Sequence, residues 1–337
     1  MRNISVTNAS NGASKDYYHT LAEGIILCSA FVVEVVLIAV GNLLTVVLFA
    51  FNRKLRRKSL FLVINMAFSE AMLGTVCLPL YVYLIAGPTF QLWENAYELQ
   101  MRLDIVVHVL HTIFTHSSLI SVVFISFERF YAIYWPLKHR GLSVRKYFII
   151  ILTTWFLAII VCAVHNAEHY FHLGLSFYGW ILFPLVFLSA VCVLNISILM
   201  KFHGGSLGSI TLQQQNRSAQ NMKRLTKTLL FASMTAILSW LPLLIGNCLV
   251  ADHEVHIPPH SYWLYVILMN YTNSIVNPVL YVLRISEFRS SLLLLCLRRP
   301  VVVRGEERGK QRDDRSDLSA HALQLETSKE EIIDTKF

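Results

Sequence analysis

A small set of ionisable and hydrogen-bonding side chains stands inside long apolar runs, and their types and spacing limit the chemistry open to them. Glu70 ends the run Asn65-Met66-Ala67-Phe68-Ser69-Glu70. An acid at mid-membrane costs about 2.5–3.5 kcal/mol or more to insert, so it requires partners. Asn42, Ser118, Asn273, Asn277 and the Trp240 indole are the polar groups expected at similar depth. Glu128 adjoins Arg129, an acid and a base that can close a local ion pair. Pro278 removes a backbone hydrogen bond and kinks its helix. Asn277 can bond in that gap, and Tyr281 carries a polar tip one turn on. Trp240 and Pro242 form a second kink with an aromatic beside it. His108 and His111 share one helix face. No motif places a nucleophile beside a base, and the chain has no nucleotide-binding loop and no zinc spacing. The residues therefore point away from an enzyme and towards binding and switching.

The elements that position these groups follow from hydropathy. The chain has 337 residues, 55% of them hydrophobic and 15% charged, where a soluble domain carries about 25% charge. About 20 apolar residues span a bilayer core. Seven segments qualify, at 25–51, 60–86, 104–134, 147–166, 175–200, 225–250 and 261–285. The fold class is an all-α membrane protein, a seven-helix bundle. Its domains read as an extracellular N-terminus, 1–24, the membrane domain, 25–285, a short amphipathic cytoplasmic helix, 286–298, and a disordered tail, 299–337.

Lysine and arginine fix the orientation. The first, third and fifth connections carry Arg53, Lys54, Arg56, Arg57 and Lys58, then Lys138, Arg140, Arg145 and Lys146, then Lys201, Arg217, Lys223 and Arg224. The even connections are poor in both and carry Glu94, Glu98, Glu168, Asp252 and Glu254. The N-terminus is read as outside and the C-terminus as inside. The net charge of +8 follows from this bias and suits anionic inner-leaflet lipid rather than nucleic acid. Residues 1–20 are polar, which predicts no cleavable signal peptide and makes the first span the signal anchor. Asn3 and Asn8 open outer glycosylation triplets, whereas the triplet at Asn195 lies in a span. Cys28, Cys77, Cys162, Cys192 and Cys248 read as small apolar fillers of the spans. Cys296 lies between an apolar run and Arg298-Arg299, where palmitoylation would anchor an interfacial helix.

With these residues in order, the chain resembles the rhodopsin-like (class A) G-protein-coupled receptors over residues 25–297. The marks are Gly41-Asn42, Asn65 to Glu70, Glu128-Arg129-Phe130, Trp155, Pro184, Ser239-Trp240-Leu241-Pro242, and Asn273, Ser274, Asn277, Pro278 and Tyr281, with Glu287-Phe288-Arg289 like the start of an eighth helix. The resemblance implies a sodium ion at Glu70, Ser118, Asn273 and Asn277 in the inactive state, or else a protonated Glu70 in a structural network. No other cofactor is implied. It also implies a switch made of Glu128, Arg129, Trp240, Pro242, Asn277, Pro278 and Tyr281, and a ligand pocket that includes His108, His111, Trp240 and Tyr271.

Several positions depart from the family's pattern. Glu70 stands for the usual aspartate, Met222 for a frequent acid at the foot of helix six, and Cys192 for a tyrosine on helix five. Asp104 replaces the cysteine that normally ties helix three to the outer loop, as in melanocortin-like and some lipid-receptor branches. His111 occupies the place of the amine receptors' aspartate, which disfavours a monoamine ligand. Tyr271 occupies the place of the retinal-binding lysine, which excludes a conventional photoreceptor. His165, His169, His172, His253, His256 and His260 gather towards the outer side, where proton or zinc sensing is an alternative to plain loop histidines. Glu34 in the first span borders the pocket or snorkels.

The function expected is a plasma-membrane receptor that passes an extracellular ligand signal to a heterotrimeric G protein by outward movement of helix six. A receptor kinase and an arrestin would act at tail residues such as Ser316, Ser319, Thr327, Ser328 and Thr335. Alternatives are a constitutively active or ligand-free receptor and a transporter, the latter with few deep charges and no inverted repeat to support it.

Overall fold

The computed structural model describes residues 21–52, 58–87, 97–171, 176–203, 213–251, 260–284 and 286–296. Among them, seven helices are long and apolar enough to cross a membrane. The first span is α1, Leu21–Phe51. The second is compound: α2, Phe61–Met72, a π-helical turn, Leu73–Cys77, then α3, Leu78–Ala86. The third is α4, Tyr97–Tyr134, followed by the short α5, Pro136–Arg140. Then come α6, Val144–Phe171, α7, Ser176–His203, α8, Gln213–Ala251, and α9, His260–Arg284. A final helix, α10, covers Ser286–Cys296.

Several of these helices outrun the expected spans, because hydropathy marks the part inside the bilayer and not where the backbone hydrogen bonding stops. The third begins at Tyr97 rather than 104, and the sixth at Gln213 rather than 225. The π-turn was not expected. Pro79 lies just beyond it and has no N–H to give to the carbonyl of Thr75, so the helix widens there.

Burial separates the inner helices from the outer ones. In the second and third spans, 67% and 61% of the apolar window is buried, against 28% in the first, fourth and fifth. The outer helices turn residues such as Ile26, Leu152, Phe156, Val186 and Val193 outwards, as lipid-facing surfaces require. Helix α4 packs against α2, α6 and α7, while α8 and α9 pack together and α9 returns to α1. Two glycines set close approaches to α1. A Cβ at Gly41 would lie 3.0 Å from Pro278 Cγ, and one at Gly74 would lie 2.7 Å from Ile38 Cγ2 and 2.9 Å from the Ala39 nitrogen. The bundle belongs to the compact unit Met1–Ser291; of the unit Leu292–Phe337, only the end of α10 is described.

Candidate functional site

Helices α2, α4 and α9 bring the deep polar groups together. Glu70 is fully buried, and its Oε1 accepts from Ser118 Oγ at 3.0 Å and from Asn277 Nδ2 at 2.8 Å. Its Oε2 has no protein partner. Asn277 therefore does not fill the gap that Pro278 leaves. That gap is filled from α1. Pro278 cannot donate to the Ser274 carbonyl four residues back, and Asn42 Nδ2 donates to that carbonyl instead, at 3.1 Å. Asn273 stands slightly apart, its Oδ1 accepting from Thr235 Oγ1 at 3.3 Å. Beside this network, Asn65 links three helices, donating to Ser121 Oγ and accepting from the Trp155 indole, each at 2.9 Å.

A cavity of about 220 Å³ opens above, lined by His111, Thr115, Trp240, Leu243, Asn247, Trp263, Ile267 and Asn270. The described lining comes from α4, α8 and α9. His111 is in place, but His108 is exposed on the bundle surface and outside the lining. Tyr271 is buried behind His111, ring centroids 5.7 Å apart, and lines a smaller void below. That void, about 20 Å³, has room for about one water. It is bordered by Ser118, Asn273 and Ser274, and it shares Thr115, Trp240 and Asn270 with the cavity above.

Two histidines read differently in the structure. His165, grouped by sequence with the outer histidines, is buried between α4 and α7, its ring 5.4 Å from that of His116 and 6.4 Å from that of Phe183. His116 belongs to no sequence motif, yet it is fully buried with its ring 6.1 Å from Trp240. Its place one and a half turns below His111 on the same helix was the available signal. Glu34 faces inwards, its Oε1 accepting from Thr272 Oγ1 at 2.9 Å.

At the other end of α4, Glu128 and Arg129 are both buried and paired, Oε2 to the guanidinium. The other carboxylate oxygen is also held. His139 Nε2, from α5, lies 2.6 Å from Oε1, and Tyr147 Oη, from α6, donates to it at 3.2 Å. Neither partner was foreseen. Tyr281 is buried against the Phe288 ring, 6.3 Å away, and its hydroxyl has no partner.

Asn3, Asn8, Arg53, Lys54, Arg56, Arg57, Glu94, His172, Asp252, His253, Glu254 and His256 lie outside the described residues, as does the tail after Cys296. The side chains of Glu168, His169, Met222, Lys223, Arg224, His260 and Cys296 do too. Cys28, Cys77, Cys162, Cys192 and Cys248 are free thiols. Asn195 is buried in its span and donates to Ser233 Oγ at 2.9 Å.

The profile of the family described as "7 transmembrane receptor (rhodopsin family)" matches residues 41–281, which include the Glu70 network, the Glu128–Arg129 pair, the described lining of the cavity and Tyr281. The chain belongs to this family. Among similar proteins, the adenosine receptor A3 of Canis lupus familiaris is 22% identical over 76% of this chain and 86% of its own length. Trace amine-associated receptor 5 of Mus musculus is 26% identical over 86% and 90%. Neuropeptide FF receptor 2 of Rattus norvegicus is 24% identical over 81% and 73%. This rhodopsin-family receptor is thus a multi-pass plasma-membrane protein that answers an extracellular ligand and signals through G proteins, and it is not an enzyme.

Proposed function

We propose that a ligand in the 220 Å³ cavity selects between two packings of the bundle and that α8 carries the difference to the cytoplasm. One observation supports this above the others. Thr115, Trp240 and Asn270 line both the outer cavity and the void beside the Glu70 network, so occupancy above bears on the polar contacts below. Pro242, two residues past Trp240, gives α8 its pivot. Outward movement at the foot of α8 would free Arg129 from Glu128, turn Tyr281 inwards and open a cleft for a G-protein helix. The N-terminus would then lie outside and the C-terminus inside, with arrestin and receptor kinase engaging the tail, and Cys296 palmitoylated. Moving the equilibrium from about 1:99 to 99:1 takes about 5.5 kcal/mol of differential affinity.

A sodium ion fits the residues at Glu70. The orphaned Oε2 and the Ser118 hydroxyl offer oxygens of the kind a hard cation takes, and the Asn273 and Asn277 carboxamides, now turned to Thr235 and to Glu70 Oε1, would rotate to bring theirs. When bound there, the cation would supply positive charge that favours the packing in which these helices are close.

Of the three relatives, one is named for a nucleoside, one for trace amines and one for a neuropeptide, so their names do not choose a ligand. Nucleotide exchange on a panel of purified G proteins, with wild type beside Arg129→Ala, tests the reading. Exchange that depends on intact Arg129 supports it. Exchange unaffected by Arg129→Ala in a folded receptor refutes the switch.

A further inference from the structure

The cytoplasmic half of α8 is tied to α7 by a polar contact inside the spans. Asn195, on α7, and Ser233, on α8, are both buried. Asn195 Nδ2 donates to Ser233 Oγ at 2.9 Å. The direction of this bond is forced. The Ser233 hydroxyl gives its own proton back along α8, to the Leu229 carbonyl at 2.9 Å or the Leu230 carbonyl at 3.0 Å, so it can only accept across the helices. Asn195 Oδ1 is left buried without a partner. A leucine of similar volume would bury there with no orphaned acceptor, so stability alone does not account for the amide.

The two helices are fixed differently. Near its cytoplasmic end α7 is held to α4: Tyr134 Oη donates to the Ser197 carbonyl at 3.0 Å, and Lys201 Nζ lies 5.7 Å from the centre of the Tyr134 ring. Ser233 lies about 13 Å along α8 from Pro242, and Thr226 about 24 Å. Moving α8 out of the bundle draws it from both flanking helices, α7 and α9. A swing about Pro242 that shifts Thr226 by about 1 Å shifts Ser233 by about 0.6 Å, which stretches the 2.9 Å contact to the limit of a hydrogen bond. Thr235, nearer the pivot, shares its one proton between the Ala232 carbonyl at 2.7 Å and Asn273 Oδ1 at 3.3 Å, a weaker tie to α9. The Asn195 contact therefore opens at the start of the swing.

We propose that Asn195 and Ser233 form a latch that holds the cytoplasmic half of α8 against α7 in the resting packing and so sets the receptor's ligand-free output. They act as positioning residues: α7, pinned to α4, is the post, and α8 hangs on it by one buried hydrogen bond. This rests on α8 being the helix that moves in signalling.

The test uses the full-length receptor in lipid nanodiscs, without ligand. Spin labels at Lys138→Cys on α5 and Lys227→Cys on α8, with Cys248 and Cys296 replaced by Ser, report the spread of the cytoplasmic face. GTP exchange on the panel of purified G proteins reports output. Asn195→Leu should enlarge the share of long distances and raise exchange about two- to tenfold, the effect of one hydrogen bond. Its Tm should hold, because leucine removes the orphaned oxygen along with the donor. Ser233→Ala should raise both readouts at least as far, because it strands the Asn195 amide, and it is the variant to read should Asn195→Leu not fold. The double variant should do no more than the larger single. Unchanged distances in the folded single variants, or effects that simply add in the double, overturn the latch. So do Tm and exchange falling together, which is plain loosening. Failure of the wider reading looks different: distances that lengthen while exchange stays flat on every G protein would keep the latch and remove the coupling.

Discussion

Replacing Glu128 with Gln is the sharpest test of the switch proposed at Arg129. The substitution keeps the side chain's size and one carbonyl oxygen, and it removes the charge. In the structure Glu128 holds the Arg129 guanidinium on one oxygen and His139 and Tyr147 on the other, at 2.6 and 3.2 Å. All of this is buried, with Arg129 2% and Glu128 5% exposed. Hydrogen bonds to a charged group contribute about 1.5–3 kcal/mol, against about 0.5–1.5 for neutral pairs. The variant therefore weakens the resting packing by roughly 1.5–3 kcal/mol, most of it at Arg129, whose buried charge loses its partner. Each 1.4 kcal/mol is about tenfold, so the ratio of active to resting receptor rises roughly ten- to a hundredfold. From a resting ratio of about 1:99, the active share becomes roughly a tenth to a half. Ligand-free GTP exchange on the coupled G protein, at matched amounts of folded receptor, reads this directly. His139→Phe and Tyr147→Phe should each raise it only a few-fold. Exchange at or below wild type in Glu128→Gln, with the receptor folded, would refute the idea that this contact holds the resting state.

Three other outcomes follow from the packing. Asn42→Val leaves the Ser274 carbonyl bare and should cost about 1–3 kcal/mol; Pro278→Ala, which restores the internal helix bond, should recover part of it in the double variant, and strict additivity in thermal unfolding would count against the pairing. Gly74→Ala drives a methyl to 2.7 Å from Ile38 and should cost about 1–3 kcal/mol, with Ile38→Ala relieving only part because the Ala39 nitrogen is also in the way; a Tm within error of wild type would sink that contact. If sodium fits at Glu70, NaCl should raise Tm relative to choline chloride at equal ionic strength, and Glu70→Gln should erase the difference. An equal response of wild type to both salts would remove the cation and leave a protonated network.

The bundle itself was legible from the chain. Seven apolar runs cannot be hidden by a monomer in water, and the positions of Pro242, Pro278, Glu70 and the Glu128–Arg129 pair state where helices bend and where buried charge needs company. Some of the company is equally local, because Arg129 adjoins Glu128 in sequence. The polar partners brought from other helices were only partly legible. Ser118 and Asn277 were expected near Glu70 and are bonded to it, while Asn273, expected with them, turns to Thr235.

Other features were set only by the tertiary structure, because periodicity says which face of a helix is buried and not what stands opposite. Asn42 rather than Asn277 closes the gap at Pro278, since α1 approaches α9 over Gly41. His139 and Tyr147 reach Glu128 from two different helices, and nothing in their sequence neighbourhood announces it. His165 was grouped with the outer histidines though it ends the expected fourth span, and the packing of α6 turns it inside, against His116. The cavity, with no fixed charge among its described lining residues, is likewise a product of three helices meeting. Composition and spacing thus determined the membrane bundle and its family marks; the pairing of side chains across helices, on which every buried polar atom depends for its partner, was decided by the fold.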